Sequence, residues 1–409
     1  MRRRDRRMRR TIGPMHEHQD RRRWLVLGVG LLGLIAGCAA QYGLAYLIPA
    51  LRSEGLALEE ATLLVSAPIV GILLTLIAWG AAADRWGERV VLGMGLGAAG
   101  ACALGAAAVD GLLARWLLLF GVGATSSAIH AASGRLILGW FAASQRGLAM
   151  GIRQMGQPLG VGLAAVVLPP LATDGLPAPL TALAAACLVT AALVAVFVRD
   201  PQRSSPRIGD DPPRSPYRER YLWRIHLASA LLVVPQWTVA VFAFDFLVTA
   251  RGWSIGAAGT LLAVTALLGA ASRLAAGSWS DRVRSRLRPM RTVAVVIGAA
   301  MLALAATAVF DIGATVVVLA VAAVVTVSPN GLAFTAVAER AGSRWAGRAL
   351  GIQNTFQNLV AGAAAPPLAV LIGLAGGGTT GYGLAFAVVA GLPFLAAIAV
   401  PAGEERLGA

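Results

Sequence analysis

Gly80-Ala81-Ala82-Ala83-Asp84-Arg85 and Gly277-Ser278-Trp279-Ser280-Asp281-Arg282 repeat one frame, Gly-x-x-x-Asp-Arg, 197 residues apart. A second pair follows in the same order: Gly147-x-Ala149-x-Gly151-Ile152 and Gly347-x-Ala349-x-Gly351-Ile352, offset by 200 residues. Trp24 and Trp223, Arg52 and Arg251, and Asp110 and Asp311 keep nearly the same spacing. A single match of this kind carries little weight. Five in order, each at an equivalent segment end, point to an internal duplication.

Each copy is too apolar for water. Of 409 residues, 57% are hydrophobic and 13% charged, with a mean hydropathy of +0.71. Soluble domains carry about 25% charged residues, so a water-soluble fold would lack the polar surface to cover itself. The same numbers exclude disorder as the general state. A membrane span needs roughly 20 apolar residues, and twelve stretches meet that need: 24–50, 61–81, 90–109, 112–138, 149–172, 177–198, 222–250, 256–279, 292–310, 312–337, 350–374 and 379–401. The fold class expected is an all-α integral membrane protein, with two six-helix bundles at 24–198 and 222–401 related by the repeat. A basic arm at 1–23, expected to be disordered, precedes them. A proline-rich cytoplasmic linker at 199–221 joins them, and a cytoplasmic tail at 402–409 ends the chain. Gly28-x-Gly30-x-x-Gly33 matches a dinucleotide-binding fingerprint, but it lies in an unbroken apolar run and reads as close helix packing.

All 35 basic residues are arginines, for a net charge of +15. They fall on one side. Ten precede Trp24, and others cluster at 85–89, 146, 199–224, 282–291 and 340–348, whereas the alternate loops hold only Arg52, Arg115 and Arg251. The positive-inside rule then places both termini in the cytoplasm, in a multi-pass protein of the plasma or inner membrane. The charge reads as topology and lipid contact, not nucleic-acid binding. Cys38, Cys102 and Cys187 are scattered among apolar runs, so no metal site or disulfide framework is expected.

Gly80-Ala81-Ala82-Ala83-Asp84-Arg85-Trp86-Gly87-Glu88-Arg89 resembles the signature of the major facilitator superfamily, Gly-x-x-Ala-Asp-Arg-x-Gly followed by basic residues. Glu88 stands where a second basic residue is usual. Trp140-Phe141 through Arg146-Gly147-x-Ala149-x-Gly151 resembles the loop that follows that family's fourth helix, and the copy at 277–282 resembles the degraded second signature. The resemblance covers the chain from Trp24 onward. It implies a secondary active transporter of a small solute working by alternating access, with its site between the halves near mid-membrane. It also implies gating by Gly80, Asp84, Arg85 and Arg89 in the first copy and Gly277, Asp281 and Arg282 in the second. Asp84 is expected to meet the start of the eleventh span near Arg348 and Leu350, held by Arg85 and Arg89, with Glu88 competing for them. Asp281 is expected to matter less.

Charged and amide side chains inside spans need a reason. Arg153, beside Gln154 and Gln157, reads either as an anchor for an anionic substrate or as a side chain reaching back to the cytoplasmic surface. His130 reads as a substrate or proton-relay residue, or as a hydrogen-bonded packing residue. Asp245 is a proton-coupling candidate together with His130; Arg251, six residues on, is its alternative ion partner. Gln41-Tyr42 and Gln236-Trp237 lie at matching places in the two halves, Asn330 follows Ser328-Pro329, and Gln353, Asn354, Gln357 and Asn358 pair at helical spacing. These amides read as substrate contacts or as interhelical bonds. Arginines and amides with few intramembrane acids favour an organic or inorganic anion, coupled to protons. A drug:proton antiporter is the second reading and a non-transporting sensor on the same fold the third. No nucleophile–base or metal constellation marks an enzyme. The expected partners are a small-molecule substrate, H+ and the lipid bilayer, with no cofactor, no nucleic acid and a monomeric state.

Overall fold

The computed structural model describes residues 2–56, 58–201 and 215–401. Most of the linker and the whole expected tail lie outside those residues. The described chain is helical nearly throughout, because in hydrocarbon a backbone must satisfy its own hydrogen bonds. Its helices follow the apolar stretches: α1 (Arg2–Tyr42), α2 (Leu58–Trp86), α3 (Glu88–Ala108), α4 (Leu112–Trp140) and α5 (Arg146–Gln154 continued by Gly156–Leu171). There follow α6 (Pro177–Phe197), α7 (Arg220–Ala250), α8 (Ile255–Arg282), α9 (Leu287–Val309), α10 (315–341), α11 (343–374) and α12 (Gly378–Ala399). Ten helical runs among the described residues are long and apolar enough to cross a membrane. The count is consistent with twelve spans: Thr315–Leu374 holds two helices that meet at Gly342, and α5 is interrupted at Met155, which leaves two shorter pieces. The N-terminal stretch expected to be a disordered arm is helical, as part of α1, in keeping with the high helix propensity of arginine.

Two glycines do what other residues resist. Gly87 turns α2 directly into α3 with φ +97°, and Gly342 separates α10 from α11 with φ +69°, a region that an L side chain rarely enters. Each half has its own core. Leu34, Leu64, Leu92, Leu96 and Ile129 are fully buried in the first half, and Phe246, Ile297, Leu304, Leu319 and Phe386 in the second. Ala149 and Met150 of α5 pack into the core of the opposite half. The halves meet chiefly along two helix pairs, α2 with α11 and α5 with α8, and α10 and α11 also pack on α4 and α5.

Small residues make these contacts possible. A Cβ on Gly80 would strike the backbone of Gly347, and one on Gly277 the backbone of Gly147. Within the first half, Gly71 and Gly123 bring α2 and α4 together, so that Thr75 Oγ1 and Trp79 Nε1 both donate to the Ala124 carbonyl, at 2.8 and 2.7 Å. A Cβ at Gly123 would collide with the backbone of Pro68, whereas one at Gly97 meets nothing within 4 Å. Overpacking of a rigid contact costs about 1–3 kcal/mol or more. Gly123→Val should therefore lower the melting temperature or the yield of monodisperse protein, and Gly97→Val should leave both near wild type. Equal thermal stability of the two variants would contradict this packing.

Candidate functional site

The arginine-rich end is closed by two crossed contacts. Asp84, at the end of α2, accepts hydrogen bonds from the amides of Gly347 (2.9 Å) and Arg348 (3.1 Å) at the beginning of α11. Asp281, at the end of α8, accepts from the amides of Gly147 (3.0 Å) and Leu148 (2.9 Å) at the beginning of α5. Both carboxylates thus sit on the amide-rich, positive end of a helix from the other half. The duplicated sequence folds into a duplicated contact.

The arginines around the carboxylates differ from the sequence expectation. Asp84 is met by Arg135 of α4 at 3.5 Å and by Arg348 at 3.8 Å. Arg89 turns instead toward the end of α6, where its amide donates to Asp200 (2.8 Å) and its guanidinium to the Ala195 carbonyl. Glu88 does compete, but for Arg135, at 3.1 Å. Arg135 is 4% exposed and Glu88 1%, so neither reaches back to the surface. In the second copy the partner is Arg286, from the turn between α8 and α9 and not from the Asp-Arg motif. It donates to Asp281, to Ser280 Oγ (2.6 Å), to the Ala143 carbonyl across the seam (2.6 Å) and to both oxygens of Glu339 (3.2 Å each). Burial opposes its charge, but Glu339 and then Asp281 outweigh that and push its pKa further above the ordinary guanidinium value. Arg146 completes the cluster at 3.6 Å from Glu339. The second motif makes the same pair of amide bonds as the first. Its degraded sequence keeps the same geometry.

Deeper in the seam lies a belt of polar side chains. In the first half, His130 Nε2 of α4 donates to Gln41 Oε1 of α1 (2.9 Å), and Gln41 Nε2 donates to Ser126 Oγ (2.9 Å). In the second half, Asn330 Nδ2 of α10 donates to Gln236 Oε1 of α7 (3.0 Å), and Gln357 Nε2 of α11 reaches Ser229 Oγ (2.6 Å) and Asn330 Oδ1 (3.4 Å). The pairs 41–130 and 236–330 are repeat equivalents, each tying the first helix of a half to its fourth. Tyr42 and Trp237 stand beside them, half-buried. Asn354 is occupied by its own helix, donating to the Leu350 carbonyl at 2.8 Å, and Gln157 makes no hydrogen bond among the described residues. Gln353 lies one turn before Gln357 on α11, nearer the arginine-rich end, and accepts from His226 Nδ1, while Tyr217 of the linker bonds His226 Nε2 at 3.0 Å.

Arg153 is 2% exposed. It does not reach back to the surface; it donates to Ser133 Oγ (2.9 Å), to Gln154 Oε1 (2.7 Å) and to the His130 carbonyl, with Phe334 of the other half 5.6 Å from its guanidinium carbon. Arg273 of α8 is 7% exposed and arrives from the opposite side, donating to the Gln154 carbonyl (2.6 Å) and to the Val327 carbonyl (3.1 Å). Two guanidiniums from different halves thus converge on one residue, Gln154. Among the described residues, neither meets a carboxylate. Asp245, by contrast, is exposed near the far end of α7, where Tyr382 Oη donates to it. Arg251, its expected ion partner, is taken by Asp311.

The convergence of Arg153 and Arg273 was not legible as a pair, since no spacing links residue 153 to residue 273. Arg286 and Glu339 were missed altogether. The available signal was that Glu339 is one of few acids beside an arginine cluster. Among the described residues, no group of three or more His, Cys, Asp or Glu side chains is placed to hold a metal ion.

The family model for the Major Facilitator Superfamily matches residues 30–366. The "Uncharacterized MFS-type transporter Rv2994" of Mycobacterium tuberculosis (strain ATCC 25618 / H37Rv) is 41% identical over 382 residues, covering 93% of this chain and 85% of the relative. Among solved structures, FucP, a Major Facilitator Superfamily transporter in the outward conformation, superposes with a TM-score of 0.72 at 15% identity, covering 92% of this chain and 99% of FucP. The human organic anion transporter MFSD10 superposes with a TM-score of 0.71 at 17% identity, covering 93% and 99% of the two chains. With its signature motif in both copies and the crossed contacts they form, the chain belongs to the Major Facilitator Superfamily of multi-pass membrane transporters.

Proposed function

We propose that the protein is a secondary active transporter of a small anion, working by alternating access and driven by protons. The observation that supports it is the meeting of Arg153 and Arg273 at Gln154 without a carboxylate among the described residues. Burying an unpaired cation costs several kcal/mol. Carbonyls and the ring of Phe334 offset part of that here, and an anionic solute arriving at the seam would offset more. A carrier of cationic drugs would call for acids at the same place, and Asp245, the carboxylate on α7, lies toward the other end and is bonded to Tyr382. With the arginine-rich side read as cytoplasmic, the closed end makes this an outward-facing state, and the polar belt of Gln41, His130, Gln236, Asn330 and Gln357 then stands at the floor of the pathway. Asp84 and Asp281 act as the cytoplasmic gate.

Reconstituted protein should accumulate a small anion when an inward proton gradient is imposed, and should not accumulate cationic dyes. Arg153→Gln should weaken apparent affinity by about ten- to a hundredfold, the worth of roughly 1.5–3 kcal/mol for one charge-assisted bond. Dye transport in place of anion transport, or affinity unchanged in the variant, would contradict the anion site. No uptake of either would favour the sensor reading. Asp245→Asn separates coupling from transport. If Asp245 carries the proton, the variant keeps solute exchange at equilibrium and loses accumulation driven by the gradient. Accumulation retained in that variant moves the coupling role to His130.

A further inference from the structure

We propose that the seam cavity floored by Arg273 and Gln236 takes a small monocarboxylate with an apolar body of about the size of one ring, an inference that rests on the anion reading above. The cavity has a volume of about 190 Å³ and is bounded by α7, α8 and α10, with Pro158 of α5 closing it from the other half. Its polarity is graded by the order of residues along the helices. Arg273 is the lining residue of α8 nearest the arginine-rich end, and Gln236 and Val327 hold the same place on α7 and α10. Leu262 lies eleven residues earlier on α8; at about 1.5 Å per residue it is roughly three turns above the guanidinium.

The upper walls offer almost nothing polar. Val239, Leu262, Ala266 and Ala323 are apolar, and the hydroxyls of Thr265 and Thr326 are already donated to their own helices, at the Leu262 carbonyl (2.9 Å) and the Ala322 carbonyl (2.8 Å). The floor offers donors only. Arg273 uses Nε on Val327 and Nη1 on Gln154, which leaves Nη2 for a ligand. Gln236 uses its Oε1 to accept from Asn330, and that bond fixes the amide so that its NH2 group is the end available. Two donors and one positive charge under apolar walls match a single carboxylate, which is acceptor-only and carries one negative charge.

Size sets the rest. A dry cavity of about 150 Å³ holds benzene, so this one holds a ring with its carboxylate. Drug-sized ligands occupy clefts of about 300 Å³ or more. A sugar would need polar partners for every hydroxyl, which these walls lack.

Benzoate is the direct probe, measured by titration calorimetry on the purified full-length protein in lipid nanodiscs. Benzyl alcohol, benzylamine, phthalate, inorganic phosphate and acetate are the comparators. Benzoate should bind at least about tenfold more tightly than benzyl alcohol or phosphate, and Arg273→Gln should weaken it by about ten- to a hundredfold. Ala266→Phe, which fills the apolar end and leaves the guanidinium in place, should exclude benzoate and retain acetate. Preference for phthalate or phosphate over benzoate would overturn the monocarboxylate class while leaving the anion reading in place. Preference for benzylamine would overturn both. Benzoate binding unchanged in Arg273→Gln and Ala266→Phe would remove the ligand from this cavity and overturn the proposal.

Discussion

Two carboxylates, each seated on the amide end of a helix from the opposite half, decide how the rest of this molecule is arranged. Asp84 on α11 and Asp281 on α5 make four hydrogen bonds across the seam. For the carboxylates to reach those amides, the backbones must nearly touch, which is why Gly80 faces Gly347 and Gly277 faces Gly147. The frame shared by the two copies, glycine four residues before aspartate, is the geometry of that contact written in sequence. A carboxylate at a helix terminus gains about 0.3–1 kcal/mol when exposed and up to about 2 when partly buried. Two such contacts are of the size needed to bias a pair of states separated by a few kcal/mol, and too weak to weld them.

Around these contacts the two ends of the charge ladder differ in kind. At the arginine-rich end the buried arginines are matched: Arg135 by Asp84 and Glu88, Arg286 by Asp281 and Glu339. One level deeper, Arg153 and Arg273 are matched only by carbonyls, a hydroxyl, an amide oxygen and an aromatic face. In a medium of low dielectric such a change from balanced to unbalanced charge is expensive unless something mobile completes it. The proposed gate and the proposed binding site are therefore continuous, since Arg273 sits two turns before Asp281 on α8 and Arg153 lies in the turn after Leu148 on α5. A solute that draws the guanidiniums toward itself acts on the same helices that carry the lock.

The fold was legible because hydrophobic stretches and glycine motifs are local signals. All twelve apolar segments reappear as helix, and the differences are the break at Met155 within α5 and the helical start of α1. The amide contact of Asp84 was foreseen from its motif. Its guanidinium partner was not, because Arg135 is 51 residues away in sequence and only the packing of α2 against α4 brings it near. For the same reason Arg251 was paired with Asp245, its neighbour in sequence, when the fold gives it Asp311. The belt residues were recognised as polar and buried, but their organisation into the equivalent pairs Gln41–His130 and Gln236–Asn330 is a property of the assembled bundles. Sequence announces which polar groups need partners; the fold decides who they are.

The claim that the crossed carboxylates hold the arginine-rich end shut is tested most directly by pulsed electron paramagnetic resonance between spin labels at Val90, at the start of α3, and Thr292, near the start of α9. Both positions are exposed, one on each half at the arginine-rich end, and the labels would be placed in a cysteine-free background. In the otherwise native protein a single short distance should dominate. In the variant carrying both Asp84→Asn and Asp281→Asn, a longer distance should rise, because removing roughly 1–4 kcal/mol moves a minor state from about 1% to between about 5% and about 90%. A distance distribution unchanged by the double substitution would contradict the account.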